Sequence, residues 1–118
     1  MSKNVVIVSA VRTPIGTFLG SFSDLKAQTL GAIAMKEVIK RSGIDPSIID
    51  EVIIGNIVGT EPKGNPAREA LLEAGIPISV PAFTVNKNCA SSVKSVSLAA
   101  SLIKAGESDI ILAGGMEN

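Results

Sequence analysis

The chain has no histidine, tryptophan or tyrosine and only one cysteine, Cys89, among its 118 residues. Each absence removes a class of function. A single cysteine excludes an intrachain disulfide framework and suits a reducing compartment. Without histidine it cannot supply the ligand set of a zinc site, so no metal site is expected. Aromatic residues make up 3% of the chain, too few for a base-stacking platform. Eleven basic and eleven acidic residues cancel, with no block of either sign, which leaves no clustered basic face for nucleic acid. The apolar run at residues 5–10 is followed by Arg12 and Pro14. It is too short for a signal-peptide core or a bilayer span, and no other segment reaches spanning length. A soluble, cytoplasmic protein with neither nucleic-acid nor membrane partners is the expectation.

What is present is aliphatic. Hydrophobic residues reach 46% of the chain, so the core is built from Val, Ile, Leu and Ala, at a length that fits one small domain. Residues 5–10 form a continuous, β-branched run, the pattern of a strand buried on both faces. A long loop follows, punctuated by Pro14, Gly16 and Gly20. The spacing of Leu30, Ala34 and Val38, with Ile33 beside them, predicts a helix over 27–42 that Gly43 ends. A turn or short helix at 45–50 leads into a second buried strand at 51–55, and a polar loop at 59–65 comes next. Asn65-Pro66 reads as an N-cap with proline at the first helical position, and the helix over 66–74 buries Ala67, Ala70, Leu71 and Ala74. A short strand at 82–86, a third helix at 90–105 and a fourth strand at 109–115 ending in a glycine turn complete the series.

The order β-α-β-α-β-α-β with unalternated apolar strands implies an α/β fold: a mainly parallel sheet, right-handed crossovers, and helices on both faces. Ligands of such sheets gather at the carboxyl ends of the strands. Cys89 falls at that end, between the third strand and the third helix. Unpaired N–H groups and the positive end of the dipole at a helix start favour a thiolate. The residues alone leave two readings of Cys89 open, a buried small hydrophobe or a nucleophile. With no histidine, the usual base for a catalytic cysteine is missing, so the chain holds a nucleophile without a whole active site.

The third helix places Val93, Val96, Ala100 and Ile103 on one stripe and Leu98 and Leu102 on another, with small residues between them. A helix apolar or small nearly all round belongs inside a larger body, and 118 residues alone could hardly cover it. The chain is therefore expected to be a portion of something longer. Arg12 reads as a contact holding its loop, with a phosphate contact as the sharper alternative. Arg68 reads as a solvated helix residue or a surface ion-pair partner, with a loop-orienting role as the alternative. Gly114-Gly115 lack the third glycine and following helix of a dinucleotide fingerprint and read as a tight turn near the site. Glu117, beside them, is a candidate for a buried polar network.

Several ordered motifs carry a resemblance. The opening Val6-Ile-Val-Ser-Ala-Val-Arg-Thr-Pro-Ile-Gly-Thr-Phe-Leu-Gly resembles the start of the thiolases, the acyl-CoA C-acyltransferases. So do Asp50-Glu-Val-Ile-Ile-Gly-Asn, Asn65-Pro-Ala-Arg, Pro81-Ala-Phe-Thr-Val-Asn-Lys before Cys89, and Ala113-Gly-Gly-Met-Glu. The resemblance runs over essentially the whole chain, residues 1–118, and corresponds to the nucleophile-bearing N-terminal part of a thiolase-like domain. It implies that Cys89 takes an acyl group from acyl-CoA as a thioester, for Claisen condensation or, in reverse, thiolysis of a 3-ketoacyl-CoA. The Cys89 N–H would contribute to an oxyanion hole.

In the family, the activating histidine, the second cysteine and much of the CoA site come from later sequence. The implied partners are therefore acetyl-CoA or another acyl-CoA and the remaining thiolase sequence, in cis or on a second chain. A homodimer or tetramer is also implied, with the strand before the nucleophile pairing across a two-fold axis. CoA thioesters enter as substrates, no cofactor is permanently bound, and no CoA-contacting residue is assigned. Many thiolases have glycine at one or two of the positions that are Ala90-Ser91-Ser92 here, which bears on substrate selectivity. The 59–64 loop also departs from the family pattern. Two alternatives are a β-ketoacyl synthase relative, which Cys89-Ala-Ser-Ser would suit, and a non-catalytic thiolase-like assembly subunit.

Overall fold

In the computed structural model, which describes residues 3–58 and 64–118, strand β1 (Glu51–Gly55) is the centre of a parallel three-stranded sheet. Strand β2 (Ala82–Val85) lies on one side and β3 (Ile111–Gly115) on the other, giving the order β2-β1-β3. The register places Ile53 between Phe83 and Ala113, and Gly55 between Val85 and Gly115. Val52 and Ile53 are wholly buried, which explains the lack of polar alternation: both faces of the strand are covered.

Successive residues of β1 serve different faces. Val52 and Ile54 join Ala27 and Met35 of helix α1 (Ala27–Ser42) and Ala67, Ala70 and Leu71 of helix α2 (Pro66–Glu73) in one apolar cluster. Gly55 faces helix α3 (Ser91–Lys104) on the other side, since a Cβ there would lie 2.6 Å from the Ser91 carbonyl carbon. The expected parallel sheet with helices on both faces is thus formed.

Helix α2 begins as its sequence demands. The Asn65 Oδ1 accepts from Arg68 N at 3.2 Å, and Pro66 occupies a position that needs no donor. The same Asn65 donates to Ala82 O, and Thr84 Oγ1 bridges Asn65 Oδ1 and Ala67 N, so the cap also fastens α2 to β2. A single 3₁₀ turn, Pro46–Ile48, forms where a turn or short helix was expected. Gly43 ends α1 in the left-handed region at φ 70°.

Three expectations are corrected. Residues 5–10 form no strand: Val6, Ile7 and Val8 are 65–79% exposed, and no described strand pairs with them. The run has strand composition, but nothing among the described residues covers either of its faces. Helix α1 buries Ala27, Gln28, Leu30, Gly31, Ala32 and Met35, while Ile33 of the expected stripe is half exposed. The reason is that α1 packs against α2, where small residues permit close approach. Gly114 and Gly115 belong to β3 and do not form a turn. The polar loop expected at 59–65 lies, for residues 59–63, outside the described residues.

In Gly55→Ala the new Cβ meets the Ser91–Ser92 backbone, which cannot rotate away. A loss of about 1–3 kcal/mol is expected in urea unfolding, and unchanged stability would refute the close approach. Asp50 accepts from Asp109 N at 2.7 Å and Ile110 N at 3.0 Å, tying the entry of β3 to that of β1. These bonds, that from Ile110 foremost, hold its carboxyl below the ordinary aspartate range. Its folded pKa is the lower one, so its stabilisation is present above the unfolded value and is lost as pH falls through the folded value. Asp50→Asn is therefore expected to be less stable than wild type at pH 7, with the gap closing below about pH 4. A gap independent of pH would contradict this.

Candidate active site

The three strands end together, and the segments that leave them define the candidate site. Beyond β2 the chain turns through Asn86, Lys87 and Asn88 to Cys89, with Ala90 capping α3. Asn88 has φ 49°, a left-handed conformation that asparagine tolerates better than most residues. Its N–H donates to Asn86 Oδ1 at 3.0 Å. Ser91 Oγ accepts from Lys87 N at 2.8 Å and donates to Asn88 O at 2.6 Å. A buried serine hydroxyl therefore braces the turn on which the thiol stands.

Cys89 is exposed and its thiol is free. It lines an open cleft of about 560 Å³ together with Ser92, Gly115, Glu117, Ile57 and Arg12. That volume lies within the usual range for small-molecule sites. Among the described residues, the N–H groups of Cys89, Ser92 and Val93 meet no acceptor, whereas those of Ala90 and Ser91 bond to Lys87 O and Asn88 O. Unpaired donors at a helix start are suited to stabilising negative charge.

The first turn of α3 reaches this position because the sheet beneath it has no side chains to hold it away. A Cβ on Gly115 would overlap that of Ser92. The buried stripe of α3 is Ser91, Ser95 and Ala99, spaced by four. Ser95 is wholly buried, and its Oγ lies 2.6 Å from Ser92 O and 2.7 Å from Gly114 O, donating to one at a time. Val93 and Val96 of the apolar stripe on α3 face outward, 72% and 46% exposed, in line with a helix that these residues alone do not cover.

The other singled-out residues divide between site and scaffold. Arg12 lines the cleft, exposed, with no hydrogen bond or ion pair among the described residues; the expected loop-holding contact is not formed. Arg68 donates to Val80 O at 2.6 Å and Ile78 O at 2.7 Å, so it orients the loop before β2 and makes no ion pair among the described residues. Glu117, itself exposed, accepts from Ile57 N at 2.8 Å and from Val58 N and Asn56 Nδ2 at 3.3 Å each. Asn56, which sequence reasoning missed, is buried and also donates to Met116 O at 3.0 Å. Its signal was a lone amide directly after a buried apolar strand. Asn118 Nδ2 donates to Phe22 O and Leu25 O, drawing the 22–25 loop toward the same edge. Among the described residues no group of three or more His, Cys, Asp or Glu side chains could hold a metal ion. No described helix is long and apolar enough to cross a membrane.

Comparison with known proteins agrees with this arrangement. The family model "Thiolase, N-terminal domain" matches residues 5–118. A probable acetyl-CoA acyltransferase of Staphylococcus aureus (strain NCTC 8325 / PS 47) is 54% identical over 114 residues, which are 97% of this chain and 29% of that protein. An acetyl-CoA acetyltransferase of Syntrophomonas wolfei is 52% identical over 118 residues, all of this chain and 30% of that protein. The crystal structure of the Bacillus anthracis acetyl-CoA acetyltransferase matches with a TM-score of 0.95 at 38% identity, covering 99% of this chain and 30% of that one. The chain thus spans about 30% of the length of the curated relatives it matches. With nearly every residue inside the family match and the sheet and helices in the same arrangement, the chain belongs to the thiolase family, as an N-terminal portion.

Proposed function

We propose that this chain is the nucleophile-bearing part of an acyl-CoA C-acyltransferase of the acetyl-CoA acetyltransferase type, in which Cys89 carries the acyl group. The observation that carries the reading is the placement of Cys89. Its free thiol is exposed in the cleft where the strands end, beside helix-start N–H groups that have no acceptor among the described residues. The substrates are acetyl-CoA or other acyl-CoA thioesters, used without a permanently bound cofactor, in the cytoplasm.

In the first half-reaction the Cys89 thiolate attacks the thioester carbonyl. The new C–S bond forms as the carbonyl π pair moves to oxygen, and donors at the helix start, the Cys89 N–H among them, stabilise that oxyanion. Collapse breaks the C–S bond to coenzyme A, whose thiolate leaves and takes up a proton. In the second half-reaction the α-carbanion of another acyl-CoA attacks the acyl-Cys89 carbonyl. A C–C bond forms, the Cys89 thiolate is released, and a 3-ketoacyl-CoA departs. Thiolysis is the same sequence reversed. Splitting the transfer this way replaces one difficult step with two easier ones.

Deprotonating the α-carbon and protonating the leaving thiolate need groups this chain does not carry, since it has no histidine and no second cysteine. They are assigned to further thiolase sequence, in cis or on a partner chain, so the 118 residues alone are expected to turn over no acetoacetyl-CoA. The outer edge of β2 has no partner strand among the described residues, which supports pairing across a two-fold axis in a homodimer or tetramer.

The test is mass spectrometry of the protein, as its source makes it, after incubation with acetyl-CoA. One acetyl group is expected on the peptide that carries Cys89, and Cys89→Ala is expected to lower acyl transfer on the order of 10⁴-fold or more. Activity retained in Cys89→Ala would instead favour a non-catalytic assembly subunit.

A further inference from the structure

The sheet ladder continues one residue past the strand ends: Asn56 N donates to Val85 O at 3.1 Å, and Met116 N to Gly55 O at 3.0 Å. There it stops. The next two N–H groups after β1, those of Ile57 and Val58, have no backbone acceptor among the described residues, and a side chain takes that place. Glu117 Oε2 accepts from Ile57 N at 2.8 Å, and Oε1 accepts from Val58 N and Asn56 Nδ2 at 3.3 Å. From the opposite side Asn86 Nδ2 reaches Ile57 O at 3.5 Å. Ile57 is thus gripped through both backbone groups by side chains from the two neighbouring strand ends. The residue is 39% exposed and lines the cleft that holds Cys89.

A carboxylate suits this position because three donors converge on it. An amide would turn its own NH₂ toward one of them. Hydrogen bonds to an ionised acceptor are also roughly twice as strong as neutral ones. Of the two side chains that hold Ile57, Glu117 makes the shorter contact, at 2.8 Å against 3.5 Å for Asn86.

We infer that Glu117 is a positioning residue for acyl transfer: its carboxylate clamps residues 56–58 so that Ile57 forms an apolar wall of the Cys89 cleft against which the acyl-CoA packs. The inference rests on the reading of Cys89 as acyl acceptor and adds the group that shapes the substrate's place beside it.

The experiment follows acylation of Cys89 by acetyl-CoA in the protein as its source makes it. Wild type, Glu117→Gln, Ile57→Ala and the double variant are compared. Glu117→Gln is expected to raise KM for acetyl-CoA about tenfold while leaving the rate of Cys89 alkylation by iodoacetamide unchanged. Ile57→Ala is expected to raise KM as well. The double variant should be no worse than Ile57→Ala, since Glu117 acts through that residue. An unchanged KM in Glu117→Gln, effects that multiply in the double variant, or alkylation that slows together with binding would overturn the proposal.

Hydrogen exchange of the wild type tests the clamp without any substitution. Protected Ile57 and Val58 amides are expected, and exchange at the unprotected rate would overturn it. A wild type that acetyl-CoA does not acylate would overturn the Cys89 reading and the role in transfer with it. Amide exchange would then decide separately whether the clamp exists.

Discussion

The contact on which the site depends is that between the first turn of α3 and the bare backbone of two strands. Gly55 and Gly115 are register partners on the face that α3 covers. With no side chain on either, Ser91 and Ser92 rest directly on the sheet. Ser95, one turn further on, locks the helix to Gly114 O through its hydroxyl. Close packing leaves little room for adjustment in such a contact, because protein interiors lack spare volume. The thiol's position follows: Cys89 lies just before that pinned turn and cannot move independently of it. The same closeness selects serine and alanine on the buried stripe of α3, where a larger residue would lift the helix away.

Polar side chains then do at the strand ends what backbone cannot. Each ladder stops one residue past the sheet, and the freed donors are taken by Glu117, Asn86 and Ser91. Arg68 and Asn65 perform a similar service before β2, holding its approach and the start of α2 together. Hydrogen bonds of this kind are individually modest, but a donor left unmet costs more than the bond itself contributes. Fixed loops around a reactive group are what covalent catalysis needs, since small displacements of reacting atoms are costly in rate.

Most of the fold was legible because its signals are local. The β-branched run of β1, the Asn65-Pro66 start of α2 and the Gly43 stop of α1 each act within a few residues. The position of Cys89 between β2 and α3 was legible for the same reason. What depends on a distant partner was not. The run at 5–10 has every local mark of a strand, yet pairing requires an edge, and none among the described residues meets it. On α3 the stripe that meets the glycine-bearing sheet is Ser91, Ser95 and Ala99, and hydrophobicity alone does not single it out. The valines of α3 and the 5–10 run form exposed apolar surface of the kind that marks an interaction site, in keeping with the proposed longer assembly. Glu117 was legible as a candidate for a polar network, but its partners and those of Asn56 were not, because their donors and acceptors lie about 60 residues apart in sequence.

Whether the thiol held before α3 is the acyl acceptor can be read from the alkylation rate of Cys89 with acetyl-CoA, without it, and with acetyl-CoA followed by excess coenzyme A. Acetyl-CoA is expected to protect the thiol, and excess coenzyme A, which reverses the transfer, to restore its reactivity. Alkylation at the same rate under all three conditions would contradict that role.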